Sequence, residues 1–160
     1  MADMLAATAG HPDVMFDTGD VVMTEGGFDG AIWVLVSGAL NVRKGDVTVN
    51  VVTQPGAMLG EVSVLLGIGH SATVEATEPS VLRRIADGDA LLSREPDAIR
   101  EVAVGLAQRL NFLTTYLADL THQYGDAPGL TMVATVLRQL EQRSGTAASP
   151  GSSRDPDPEY

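Results

Sequence analysis

From residue 12 to residue 86 the chain is a succession of short runs rich in valine, isoleucine, leucine and threonine, most of them closed by a glycine turn. Seven runs read as strands: Val14–Phe16, Val21–Thr24, Ala31–Val36, Ala39–Arg43, Val47–Val52, Thr73–Ala76 and Ser80–Ile85. β-Branched residues suit a pleated, half-buried surface. The breakers recur at short spacing: Gly19-Asp20, Gly26-Gly27, Asp29-Gly30, Ser37-Gly38, Lys44-Gly45-Asp46 and Pro55-Gly56. Short strands with glycine corners predict an antiparallel barrel or sandwich closed on itself. The barrel is placed at residues 12–94.

The period then changes from two to that of a helix. Pro96 suits a first helical turn, and Glu95 and Asp97 complement the dipole there. Ile99, Ala103, Leu106, Leu110, Leu113, Leu117 and Leu120 follow at spacings of 4, 3, 4, 3, 4 and 3. That is a heptad seam over residues 95–124. Val102, Phe112 and Tyr116 form a second stripe that faces another way. One reading is a single broad apolar face laid over the barrel. The other, favoured by the strict 3.5 period, is two faces, one on the barrel and one on a symmetric partner. Gly125 to Gly129 break the helix, and Leu130, Val133, Val136, Leu137 and Leu140 predict a short terminal helix over 126–143. Residues 144–160 carry no apolar periodicity and are expected to be a disordered tail.

Composition narrows the function. The 160 residues hold 10 basic and 21 acidic side chains, a net charge of −11. Only three of the acids lie in the tail, so the body itself is acidic. Such a surface repels phosphate backbones and anionic membranes. The chain has no cysteine, which removes disulfides, zinc–thiolate sites and iron–sulfur clusters. No apolar run approaches the roughly 20 residues of a membrane span, and Met1–Gly10 lacks the basic start of a signal peptide. A soluble cytoplasmic protein is expected.

The stretch with chemistry in it runs from Pro55 to Ala76. Pro55-Gly56 turns into Leu59-Gly60-Glu61, a short apolar helical turn follows at Val62–Leu66, and Gly67–Gly69 turns back into Ser71–Ala76. Backbone N–H groups at a glycine-led helix start can hold an anion. A carboxylate only accepts hydrogen bonds, so Glu61 suits a sugar hydroxyl rather than a phosphate. Its plainer reading is a strand-end carboxylate that caps local N–H groups.

This stretch resembles the phosphate-binding cassette of cyclic-nucleotide-binding domains of the catabolite activator (Crp/Fnr-like) type. The resemblance covers roughly residues 12–142. It takes in Gly19-Asp20, Glu25-Gly26, Trp33, Ser37-Gly38, Pro55-Gly56, Leu59-Gly60-Glu61 and Ser71-Ala72-Thr73-Val74. It implies a β-jelly-roll barrel (a double-stranded β-helix) with a long C-terminal helix that dimerises. It implies cyclic AMP or cyclic GMP as ligand, with Glu61 on the ribose 2′-hydroxyl. Backbone donors near Gly60, Ser71 and Ala72 would hold the cyclic phosphate. Leu113 and Thr114, with Thr115 beside them, would lie over the base.

One position departs from the family. Its phosphate-pairing arginine should stand immediately before Ser71-Ala72, and here that residue is His70. Arginine gives a permanent charge and a two-pronged fork. Histidine gives one contact and is charged only near or below its ordinary pKa of about 6.5. Three readings stay open for His70: a weak phosphate ligand that strengthens at low pH, the mark of a degenerate pocket, or a haem ligand. The remaining basic residues, Arg83-Arg84 at a strand end and Arg109 on the helix, lie outside the cassette, from where one could reach in.

The winged helix-turn-helix that follows the dimer helix in catabolite-activator-type regulators is not legible after Leu120. With the acidic balance, no DNA binding by this chain alone is expected. His11, His70 and His122 are too scattered for a metal site, and no serine sits in a nucleophile elbow, so no enzyme is expected. The sequence therefore reads as a dimeric cyclic-nucleotide-type sensor that signals through its long helix to a partner protein. The competing reading is an interaction or scaffolding module with a vestigial pocket.

Overall fold

In the computed structural model, which describes residues 3–124 and 131–146, a single helical turn, α1 (Met4–Ala7), precedes eight strands. They are β1 (Asp13–Phe16), β2 (Val21–Met23), β3 (Ile32–Ser37), β4 (Leu40–Lys44), β5 (Val47–Val52), β6 (Met58–Leu59), β7 (Thr73–Ala76) and β8 (Ser80–Ile85). The helix α2 (Glu61–Leu66) lies between β6 and β7. After β8 come α3 (Gly88–Arg94), α4 (Pro96–Tyr124) and α5 (Thr131–Thr146). The chain divides into two compact units, Met1–Gly105 and Leu106–Tyr160.

The strands form two four-stranded antiparallel sheets, ordered β1-β8-β3-β6 and β2-β7-β4-β5. This is the jelly-roll expected from the sequence. The core draws equally on both inner faces: Trp33, Leu35, Leu59 and Leu82 from the first sheet, Met23, Leu40, Val74 and Ala76 from the second. Each is one member of a period-two alternation, so the pattern that predicts a strand also says which side faces in. β3 is buried on both faces, because its other side carries Ile32 and Val34 beneath the helical layer. Gly88 at the start of α3 marks how close that layer comes. A Cβ there would stand 2.8 Å from the Ile32 side chain and 3.0 Å from that of Val64 on α2. A run apolar at every position is the signature of such two-sided burial.

Four features were not read from the sequence. α1 is held by the Asp3 carboxylate, which accepts from the Leu5 and Ala6 N–H groups. β6 has two residues, too few for a period. α3 starts where Asp87-Gly88 looks like a turn; Asp87 in fact caps it by accepting from the Ala90 N–H. The division between units falls inside α4 at Gly105.

α4 is one continuous helix of 29 residues. In its first three turns Ala98 and Val102 are buried while Ile99 and Ala103 of the seam are exposed. In the second unit Leu110 and Leu113 are each 47% exposed, and Leu106, Leu117 and Leu120 are half-buried. Phe112 and Tyr116 of the second stripe are exposed and stack on each other, centroids 6.4 Å apart. α5 runs to Thr146, past the expected end at 143. The start of that expected helix, 126–130, and residues 147–160 of the expected tail lie outside the described residues.

Candidate functional site

The cassette begins at a turn. Gly56, at φ 89°, donates its N–H to the Leu35 carbonyl at 2.8 Å, and the Leu35 N–H returns to Ala57 at 2.9 Å. This delivers β6 onto β3, with Leu59 opposite Trp33. Gly60 follows at φ 89° and caps α2. Glycine is required here twice over. The backbone is left-handed, and a Cβ would stand 2.8 Å from the Ala31 carbonyl oxygen. Glu61 opens α2 and is buried, 5% exposed.

Gly67, also left-handed, ends α2, and the Ile68 N–H donates back to the Ser63 carbonyl. The return strand then clasps the loop between β2 and β3. The His70 N–H donates to Gly27 O at 2.7 Å and the Gly26 N–H to His70 O at 2.8 Å. Gly69 permits the approach, since a Cβ there would stand 2.6 Å from Gly26 O. Both ends of the cassette thus dock on one short loop: Gly60 on Ala31, and His70 on Gly26-Gly27. That loop brings together the predicted residues Gly60, Glu61, His70, Ser71 and Ala72. Leu113 and Thr114 lie on the second unit, where the Thr114 hydroxyl donates to Leu110 O of its own helix at 2.7 Å.

His70 is 7% exposed. Its Nε2 lies 3.7 Å from Asp29 Oδ1, and its Nδ1 is buried without a hydrogen-bond partner. Asp29 also accepts the Ala31 N–H at 3.0 Å, and its second oxygen is 3.6 Å from the Arg84 guanidinium. Arg84 spreads over the Trp33 ring, 5.8 Å from its centroid. Trp33 is 6% exposed, packs edge-on against Phe16, and its Nε1 is a second buried atom without a partner.

A second cation reaches the cassette from the hairpin of β4 and β5. Lys44 Nζ donates to Ser71 O at 3.0 Å and lies 3.5 Å from Glu25 Oε1. Glu25 takes the Gly45 N–H at 2.9 Å, and its own N–H donates to the Thr73 hydroxyl at 3.0 Å. The Gly45 N–H, aided by Lys44, holds the Glu25 carboxyl below its ordinary value.

Asp29, Lys44 and Glu25 are not legible as site residues in the sequence, and Arg84 is legible only as one of several basic residues that could reach in. One signal was available for Arg84. It shares a strand face with Ser80 and Leu82, both buried, and an arginine in core parity calls for a partner. Among the described residues no group of three or more metal-ligating side chains occurs. Nor is any helix among them long and apolar enough to cross a membrane.

The site is thus a jelly-roll barrel with a glycine-bounded helical turn inserted between its sixth and seventh strands. Residues 13–91 match the family model of the cyclic nucleotide-binding domain, and this segment of the chain belongs to that family. Its fold is similar to a transcriptional regulator from Thermotoga maritima, with a TM-score of 0.64 and 14% identity over 76% of this chain and 99% of that one. It is similar to the N-terminal domain of a transcriptional regulator from Streptomyces coelicolor, at a TM-score of 0.51 and 22% identity over 72% of this chain and 85% of that one. It is also similar to PKAR CBD2 bound to Sp-2Cl-cAMPS, at a TM-score of 0.52 and 18% identity over 64% of this chain and 70% of that one. At these identities the likeness is one of fold. No curated protein sequence matches the chain.

Proposed function

We propose that this chain is a dimeric sensor that takes a cyclic nucleotide weakly and passes its ligand state through α4 to a partner protein. The observation that carries this reading is the cassette itself. Gly60 and Glu61 at one end and His70, Ser71 and Ala72 at the other are drawn onto the same loop by glycines that tolerate no side chain. The cassette is degenerate at one position, where His70 replaces the arginine of the family pattern. Loss of a charge-assisted pair weakens binding by tenfold or more, on the order of 1.5–3 kcal/mol.

The membership supports a regulatory rather than a catalytic role. The half-exposed leucine seam of α4 supports a symmetric partner, and the net charge of −11 supports a protein rather than DNA as the output. A cytoplasmic location agrees with this role. Calorimetry with cyclic AMP and cyclic GMP tests the reading. Saturable heat at micromolar to millimolar ligand is expected, and no heat at millimolar ligand would sink it. That null result would favour the second reading, an interaction module with a vestigial pocket. Its support is the buried His70 side chain beside Asp29.

A further inference from the structure

We infer that charge recognition has moved from position 70 to Arg84, which with Trp33 forms an anion-holding corner that Asp29 occupies as a placeholder. The inference rests on the sensor reading above and names the chemistry of its ligand: a singly charged anion, such as a cyclic phosphodiester, bearing a hydroxyl.

The register sets the corner. Trp33 on β3 pairs directly with Arg84 on β8, and Leu35 pairs with Leu82. Leu35, Leu82 and Trp33 all belong to the core between the sheets. Residues two apart on a strand share a face, so Arg84 is carried on the interior side of its sheet. Its side chain remains 37% exposed, so the guanidinium stands at the rim of the interior rather than sealed within it. The Trp33 ring supports the fork of donors from one side. The contact to Asp29 is 3.6 Å, long for a charge-assisted hydrogen bond, and Asp29 itself is 43% exposed. A loose and half-solvated pair of this kind is worth little, so an incoming anion displaces the carboxylate at small cost.

Two buried polar atoms without partners border the same pair. Trp33 Nε1 can only donate, which suits an anionic oxygen. His70 Nδ1 suits the opposite group. Asp29 lies beside Nε2, and a ring that carries its proton on that side offers Nδ1 as an acceptor, which matches a ligand O–H. A buried donor beside Arg84 and a buried acceptor beside Asp29, both left unpaired, are costly unless a ligand completes them.

Trp33 is the sole tryptophan, so its indole N–H gives a single cross-peak that reports the corner. Titration with cyclic AMP, cyclic GMP and inorganic phosphate, followed by this peak and by calorimetry, tests the inference. The peak is expected to move on saturation with a cyclic nucleotide. Arg84→Gln should weaken binding about ten- to a hundredfold, Arg84→Lys should restore part of it, and Asp29→Asn should tighten it. The asparagine side chain keeps a carbonyl acceptor for the Ala31 N–H, so the loop is preserved. Affinity should not rise as the pH falls from 7.5 to 6, because a guanidinium does not titrate there and His70 Nδ1 accepts a hydrogen bond only while unprotonated. Binding that is unchanged in Arg84→Gln, or that tightens steeply at pH 6, returns charge recognition to His70 and overturns the inference. A peak that moves with none of the three probes also overturns it. In that case the sensor reading stands if calorimetry still gives saturable heat with a cyclic nucleotide and falls with the inference if it does not.

Discussion

Gly60 meets Ala31 so closely that a single added carbon would stand 2.8 Å from the Ala31 carbonyl oxygen. This contact seats the start of α2 on the end of the loop that leads into β3, the strand that carries Trp33. Gly60→Ala meets two obstacles, the clash and a left-handed backbone at φ 89°. A loss of about 2 kcal/mol or more is expected, since strain of about 1–3 kcal/mol adds to the displacement. Denaturant unfolding measures it. Gly19→Ala is the control, because its φ is 92° but nothing lies within 4 Å of its Cβ. Equal losses at the two positions would show that the contact with Ala31 matters little.

Glu25 ties the β4–β5 hairpin to the cassette through Gly45 and Lys44. Its carboxyl is held below the ordinary 4.5, first by the Gly45 N–H. A lowered folded-state pKa means stability that is fully present above about pH 4.5 and lost as the pH falls through the lower folded value. Wild type should therefore exceed Glu25→Gln in stability at neutral pH, and the gap should close in acid. Denaturation midpoints of both proteins from pH 7 down to pH 3 check this. A gap that is constant with pH would assign the difference to packing instead.

The parts of the fold that were legible are those in which a local pattern and the tertiary environment agree. β3 reads as a strand because both of its faces are buried, and α4 reads as a helix because its leucines keep one period. β6 was not legible: Met58–Leu59 is made a strand by Trp33 and Val34 across from it, which local sequence does not encode. α3 was hidden because Gly88, a poor helix residue, is imposed by the closeness of Ile32 and Val64. The cassette was legible for the opposite reason, since its glycines mark backbone positions that admit nothing else. The Asp29–Arg84 pair joins residues 55 positions apart through the register of β3 on β8 and has no local signature.

Gly105 is the last residue of the first unit and lies inside α4. Nothing stands within 4 Å of a Cβ added there, and its φ is not in the left-handed region. Gly105→Ala should therefore stabilise the helix by about 0.5–1 kcal/mol. Thermal unfolding followed by helical ellipticity reads the gain. If α4 passes ligand state as one element, the same substitution should change the ligand response of the helix without changing the affinity of the barrel by more than about twofold. A loss of stability would instead show that the glycine is needed at a bend.

Restoring arginine tests the cassette directly. His70→Arg places a permanent charge where the family pattern has one, beside an Asp29 carboxylate 3.7 Å from the present ring. Cyclic nucleotide binding should tighten by about tenfold or more, the scale of one charge-assisted hydrogen bond. The substitution also gives Asp29 a second cation, which frees Arg84 for the ligand. Calorimetry with cyclic AMP and cyclic GMP on both proteins measures the change. Unaltered binding would mean that the pocket departs from the family at more than this position.

The α4 seam gives the last test. Leu110 and Leu113 are each 47% exposed on a helix that hides Ala98 and Val102 nearer its start. Leucines at strict heptad spacing left half-exposed are stabilised when a second copy covers them, by about 1.5–3 kcal/mol for each side chain fully buried. A two-fold pairing uses every seam residue twice, so one substitution acts on both sides of the interface. Leu110→Glu introduces two like charges at one level of the seam, in a chain that is already at −11. Wild type should sediment as a dimer at micromolar concentration and the variant as a monomer, with the barrel still folded by near-ultraviolet ellipticity at Trp33. Phe112→Ala, off the seam, should leave the dimer intact. A wild-type chain that stays monomeric at high concentration would remove the symmetric partner, and with it the route by which α4 is proposed to carry the signal.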